Sequence, residues 1–300
     1  MAAEPQTHRI LTSDGTSLAV SDWTGPSCAT VVFLHGLCLD QSAWANQRRH
    51  LLRRSTCTRI IGFDHRGHGK SGRAHISTYR IDQLASDLDE VLTALDVRGP
   101  LVLVGHSMGA MTALRYLEHG SHAAQVAGMV LVAGAAGNLA AHGAGKLLGL
   151  SALNSLVDIV AHVPVRATAA LTAPLRGALR QLHDIRGGSS GALAQVVADA
   201  LTNTPLSTAV GFLTSLRDFD QTHHLTRITA RTTILSGGLD LLTPPALSHA
   251  MADAIPGATH IHLPTAGHMI PQQESRTVAA AIAEIVESAA AGGGEPAAAM

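Results

Sequence analysis

Short unbroken apolar runs alternate with amphipathic stretches along most of this chain, and that alternation predicts its architecture. Thr30–Leu34 (TVVFL), Arg59–Phe63 (RIIGF), Leu101–Val104 (LVLV), Gly128–Val132 (GMVLV), Thr232–Leu235 (TTIL) and His260–Leu263 read as strands. Runs without polar alternation suit strands buried on both faces of a parallel sheet. Ahead of them, Arg9–Thr12 and Ser17–Trp23 flank Asp14-Gly15, a turn pair suited to positive φ, which predicts a hairpin.

Helical patterns lie between the strands. Ile81–Leu95 places Ile81, Leu84, Leu88, Val91, Leu92 and Leu95 on one face. Ser42–Arg53 opens on a hydroxyl cap, Met108–Glu118 follows a strand directly, and Pro245–Ala254 and Thr277–Val286 complete the set. Strands alternating with helices imply right-handed crossovers and a mostly parallel sheet covered on both sides, an α/β fold. The alternation pauses over 137–224. There, alanine- and leucine-rich helical pieces are broken at Pro164, Pro174, Gly187-Gly188 and Pro205. The division expected is therefore a core of 1–136 and 225–288, a helical cap inserted at 137–224, and a disordered tail at 289–300 made of alanine, glycine, a glutamate, a proline and a methionine.

Composition adds exclusions. A chain of 300 residues, 46% hydrophobic and 14% charged with a formal net charge of −1, is large enough for a sizeable core and has no general attraction for polyanions. No nucleic-acid partner is expected, because phosphate binding needs clustered positive charge. No apolar stretch approaches the ~20 residues of a membrane span, so no integral membrane segment is expected. Aromatics are only 3%, which disfavours base-stacking or carbohydrate platforms and points to a small-molecule partner. Met1–His8 carries no basic-then-apolar leader pattern. Cys28, Cys38 and Cys57 are odd in number and match no metal spacing, so they read as reduced thiols in a cytoplasmic protein. Nothing in the sequence sets the oligomeric state.

The chemistry concentrates where LVLV runs into Gly105-His106-Ser107-Met108-Gly109 and then a helix. Glycines on either side of a serine permit a tight turn that lifts the hydroxyl above a sheet edge, with a helix amino terminus aimed at the site. A serine nucleophile needs a base, and the base needs an orienting acid. Asp240 follows the strand Thr232–Leu235, and His268 follows the strand His260–Leu263, so both fall beyond the carboxyl ends of strands. The loop Ala133–Leu139 offers no acid, which leaves Asp240.

Eighteen histidines make any single one weak evidence. His106 reads as a packing residue beside the turn. His35, His65 and His68 read as holding backbone groups in sheet-edge loops. His65-x-x-His68 and His260-x-His262 have metal-compatible spacing, but no carboxylate or cysteine set completes a zinc site, so neither metal nor cofactor is expected.

The ordered set His35-Gly36, Phe63-Asp64-His65-Arg66-Gly67-His68-Gly69-Lys70-Ser71, Gly105–Gly109, Gly237–Asp240 and Gly267-His268 resembles the α/β-hydrolase superfamily over residues 8–288. The resemblance implies an eight-stranded sheet, a cap after the sixth strand, and Ser107, Asp240 and His268 as catalytic residues. It also implies an oxyanion hole made by the backbone amides of Leu37 and Met108, an arrangement that suits the negative oxygen of acyl transfer. Similar dehalogenases and epoxide hydrolases carry aspartate where Ser107 stands, and epoxide hydrolases use cap tyrosines, whereas Tyr79 and Tyr116 lie outside 137–224. Cofactor-free haloperoxidases share the motifs but usually have proline at the place of Cys38. Carbon–carbon bond hydrolases typically show Gly-Asn-Ser where this chain has Gly-His-Ser.

The resulting expectation is a serine esterase or lipase acting on carboxylic esters of small or apolar molecules. Perhydrolysis and carbon–carbon cleavage on the same residues are alternatives, and a ligand-binding or signalling protein with little turnover is an alternative of another class. Leu147, Leu148, Leu150, Leu153, Leu156, Val157, Ile159 and Val160 are expected to pack the cap onto the core, with some of them lining an acyl pocket.

Overall fold

The computed structural model describes residues 4–25, 28–54, 58–149, 155, 159–160 and 204–292. Eight strands form one sheet: β1 (Gln6–Leu11), β2 (Ser17–Trp23), β3 (Ala29–Leu34), β4 (Thr58–Phe63), β5 (Leu101–His106), β6 (Val126–Val132), β7 (Arg231–Gly237) and β8 (Thr259–Leu263), in the order β1-β2-β4-β3-β5-β6-β7-β8. The expected hairpin is present: β1 and β2 pair antiparallel around a turn with Gly15 at φ 83°. β2 also runs antiparallel to β4, and every later pairing is parallel. Helices α1 (Ala45–Arg54), α2 (Ile81–Ala94), α3 (Met108–His119), α4 (Leu206–Asp218), α5 (Pro245–Ala254) and α6 (Ser275–Gly292) lie between and after the strands.

The apolar runs are explained by burial on both sides. Val32, Leu34, Leu103 and Leu131 join the core formed with α2, α3, α4 and α5. Their neighbours Val31, Phe33, Val102, Val104 and Val130 join the opposite core with Leu51 of α1 and Ile282 and Ile285 of α6. Alternate residues of one strand therefore feed two cores, which is why no polar alternation survives in the sequence.

Four expectations are corrected. The cap of the first helix is Asp40 rather than Ser42: its carboxylate accepts from the Ser42 amide at 2.8 Å and starts a 3-10 turn, Gln41–Trp44, ahead of α1. Helix α6 continues to Gly292, so 289–292 of the expected tail are helical because Ala289 still packs on the core. The reading of three reduced thiols fails at Cys28, which is disulfide-bonded, while the Cys38 thiol is buried. Of the residues expected to pack the cap, Leu147 and Ile159 are 63% and 61% exposed, whereas Val160 is buried. Leu150, Leu153, Leu156 and Val157 lie outside the described residues, as do 293–300. Within the described residues no helix is long and apolar enough to cross a membrane.

The loops after β3 and β4 are tied together by buried side chains. Arg66, fully buried, forms a two-pronged ion pair with buried Asp87 (2.7 and 2.5 Å) and reaches Asp14 at 2.7 Å. His35 Nε2 accepts from the His65 amide at 2.9 Å, and His68 Nε2 accepts from the Cys38 amide at 3.1 Å. The other ring nitrogens donate: His35 Nδ1 to the Gly36 carbonyl at 2.8 Å and His68 Nδ1 to the Arg66 carbonyl at 3.0 Å. Each ring thus has one donor and one acceptor satisfied, which defines a neutral tautomer. Burial pushes His35 down to about 4 and His68 to about 3. His106, also buried, falls to about 3.

Two stability predictions follow from these loops. Asp87→Ala leaves the Arg66 guanidinium buried with only Asp14, and should lower unfolding free energy by about 3–5 kcal/mol in a urea titration. Below about pH 6.5 the unfolded chain takes up protons on His35, His68 and His106 that the folded chain refuses until about 4 or 3. Their contribution is complete above about pH 6.5 and is lost as pH falls, each adding a slope of about 1 kcal/mol per pH unit. The urea midpoint should decline steadily from pH 7 to 4.5; a flat profile would contradict neutral burial of these rings.

Candidate active site

Strand β5 delivers Ser107 to the carboxyl edge of the sheet in a conformation few residues adopt, φ 52° and ψ −116°. Such strain costs on the order of 1–3 kcal/mol and persists only where the surroundings enforce it. Here the Ser107 amide donates to the Val132 carbonyl at 2.9 Å, and its carbonyl accepts from Ala110 and Met111 at 2.9 and 3.2 Å. The flanking glycines are required by proximity. A Cβ on Gly105 would stand 2.5 Å from both the Ala110 nitrogen and the Gly109 carbonyl oxygen, and one on Gly109 would collide with the carbonyl oxygen of Leu34.

Asp240 and His268 come together from the loops after β7 and β8. His268 Nδ1 donates to Asp240 Oδ2 at 2.8 Å, with both side chains buried. The other carboxylate oxygen, Oδ1, accepts from the amides of Leu242 at 2.8 Å and Thr243 at 3.0 Å. Burial pushes the Asp240 carboxyl up, but the hydrogen bond and charge of His268 and the amide and hydroxyl of Thr243 outweigh it and hold the group below its ordinary value. The acid is therefore a carboxylate that fixes the imidazole tautomer, leaving Nε2 as the other ring nitrogen.

Ser107 and His268 line one cavity of about 270 Å³. Among the described residues neither the Ser107 hydroxyl nor His268 Nε2 makes a hydrogen bond, so the serine–histidine contact is open in this structure. Contacts of this kind are commonly long without substrate and tighten in the complex. The amides of Leu37 and Met108 are likewise without acceptors among the described residues. The Met108 amide is the first of α3, where no intrahelical carbonyl is available. Leu37 lines the cavity with Met111, Leu139, Leu148, Leu213 and Leu216, so its wall is mainly aliphatic. Among the described residues no three His, Cys, Asp or Glu side chains are arranged to hold a metal ion.

Two participants have roles that the sequence reading did not assign. Thr243 Oγ1 lies 2.7 Å from Asp240 Oδ2, 2.8 Å from the Ala133 carbonyl and 3.3 Å from His268 Nδ1, so one hydroxyl ties the loop after β6 to the acid–base pair. The signal available was Asp-x-x-Thr after a strand, the spacing of a side-chain-capped turn. His106, expected only to pack, donates from Nε2 to the His268 carbonyl at 2.9 Å and so anchors the backbone of that loop.

Comparison with known proteins agrees with this architecture. The chain is 37% identical over 123 residues to a non-heme chloroperoxidase of Streptomyces lividans, a match spanning 41% of this chain and 43% of that relative. It is 39% identical over 95 residues to an sn-1-specific diacylglycerol lipase of Danio rerio, covering 32% of this chain and 28% of the relative. The matches thus span less than half the length of these relatives. Among solved structures, an esterase from Exiguobacterium antarcticum superposes with a TM-score of 0.70 at 25% identity, covering 94% of this chain and 100% of that one. A family model described as alpha/beta hydrolase fold matches residues 29–274. That match covers most of the chain and six of its eight strands, all but the two of the hairpin, and with it the chain belongs to the alpha/beta hydrolase fold family.

Proposed function

We propose that the protein is a serine hydrolase of carboxylic esters with small or apolar acyl groups. The observation that carries this reading is the buried Asp240–His268 hydrogen bond of 2.8 Å at the same cavity as strained Ser107. Ser107 Oγ attacks the acyl carbon while His268 Nε2 takes its proton, and the carbonyl π electrons move to an oxyanion held by the Leu37 and Met108 amides. Collapse breaks the ester bond, and His268 returns the proton to the departing alcohol. Water then adds to the acyl-enzyme by the same route, releasing the acid and restoring Ser107.

The aliphatic wall favours a neutral apolar acyl chain, since a carboxylate or phosphate brought there would be stripped of water without a cationic partner among the described lining residues. Ala209, Val210, Leu213 and Leu216 of α4 contribute to that wall, which supports 137–224 as a cap over the site. Cytoplasmic placement has the Cys28 disulfide against it, because reducing compartments keep thiols reduced.

A second reading is cofactor-free perhydrolysis, favoured by the 37% identity to the chloroperoxidase. In that case peroxide replaces water on the acyl-enzyme and leaves as a peracid, which oxidises halide in solution.

Steady-state assays on p-nitrophenyl esters of graded acyl length test the first reading. Ser107→Ala should abolish turnover, and Asp240→Asn should cut kcat by about 10⁴-fold through the wrong imidazole tautomer. Retained turnover in Ser107→Ala would sink the scheme, and binding of esters by the wild type without turnover would favour a ligand-binding role. The second reading predicts halogenation of monochlorodimedone with acetate, peroxide and bromide that disappears in Ser107→Ala; its absence in an active esterase would exclude it.

A further inference from the structure

The turn that carries the Leu37 amide is held in one orientation by imidazole rings. Gly36-Leu37-Cys38-Leu39 closes with the Leu39 amide donating to the Gly36 carbonyl at 3.2 Å, and Cys38 sits at φ 64° while Leu37 does not have positive φ. Positive φ at the third residue alone is the pattern of a type II turn, a position that suits glycine and not cysteine. The alternative type I turn has its central peptide flipped and would relieve Cys38. His68 opposes that flip, and His35 holds the peptide that precedes it.

His68 Nε2 accepts the N–H of the central Leu37–Cys38 peptide at 3.1 Å. His35 Nδ1 donates to the Gly36 carbonyl at 2.8 Å. That carbonyl belongs to the same planar trans peptide as the Leu37 N–H, in which C=O and N–H point in opposite directions. Fixing the carbonyl on His35 therefore fixes the direction of the amide. His35 is itself oriented by the His65 N–H on Nε2, and both rings are almost fully buried.

We propose that His35, supported by His68, is a positioning residue that locks the Leu37 amide in the donor orientation needed for oxyanion stabilisation. This rests on the hydrolase reading above. Neither ring touches substrate in this scheme; each acts through the turn. The neutral His35 tautomer with hydrogen on Nδ1 is essential, because the opposite tautomer would set two hydrogens against each other at His65 and two lone pairs at Gly36.

Two variants separate the two edges of the ring. His35→Asn keeps an amide donor near the Nδ1 position and loses the Nε2 acceptor. His35→Gln keeps an acceptor near Nε2 and loses the donor to Gly36. His35→Gln should lower kcat on p-nitrophenyl esters by about tenfold to a hundredfold with KM little changed, short of the ~10²–10³ seen when an oxyanion donor is deleted outright. His35→Asn should stay within a few-fold of wild type, although both variants lose stability. Equal kcat in wild type and His35→Gln, with Ser107→Ala inactive, overturns the positioning role alone. An inactive wild type overturns both the hydrolase reading and this one. Should His35→Gln fail to fold, ¹⁵N shifts of the wild-type imidazole decide: protonated Nδ1 with unprotonated Nε2 supports the lock, and any other state overturns it.

Discussion

The close approach of backbone at Gly105 and Gly109 is the constraint on which the site depends. Without side chains there, the first turn of α3 can press against the end of β3, and β5 can hand over to a helix within one residue. Ser107 takes up the geometric mismatch as a strained φ and ψ. The strain is sustained by the sheet: β6 supplies the carbonyl that holds the Ser107 amide, and β3 supplies the carbonyl surface against which Gly109 packs. The same closeness brings the loop after β3 beside the serine, so that the Leu37 amide and the proposed nucleophile share one cavity.

Around that contact, several buried polar groups pair across loops. Asp240 receives His268 and two amides, Thr243 bridges to Ala133, and His106 holds the His268 backbone. The loops after β3 and β4 are joined by His35 and His68, with the Arg66–Asp87 pair beneath them. Buried polar groups are costly unless satisfied, and satisfied networks rigidify what they join. The site is accordingly rigid at its acid–base pair and its turn. Among the described residues the serine–histidine contact is left unmade and the Leu37 and Met108 amides are left without acceptors, at the cavity where a substrate would enter.

Much of this was legible because two simple patterns coincide. Apolar runs such as LVLV and GMVLV mark strands with two buried faces, and parallel strands present their following loops at one edge. Ser107, Asp240 and His268 each stand just past such a run, so their meeting at one edge follows from strand direction. What escaped was whatever needs contact between loops far apart in sequence. Thr243 reaches Ala133 across 110 positions, and His68 reaches Cys38 across 30. Local misreadings had local causes: a carboxylate two residues upstream outcompeted the Ser42 hydroxyl as cap, and packing of Ala289 on the core carried α6 past the expected end.

The sequence by itself determined the α/β architecture with its mostly parallel sheet, and the chemical identity of the groups at the carboxyl edge. These are decided by periodicity, by glycine placement and by side-chain chemistry, all of which are local. Tertiary structure alone decided the tautomers of His35, His68 and His268, the direction of the Leu37 amide and the aliphatic character of the cavity. Those depend on which donor faces which acceptor across packed loops, and a hydrogen bond's partner is fixed only when the chain has closed around it.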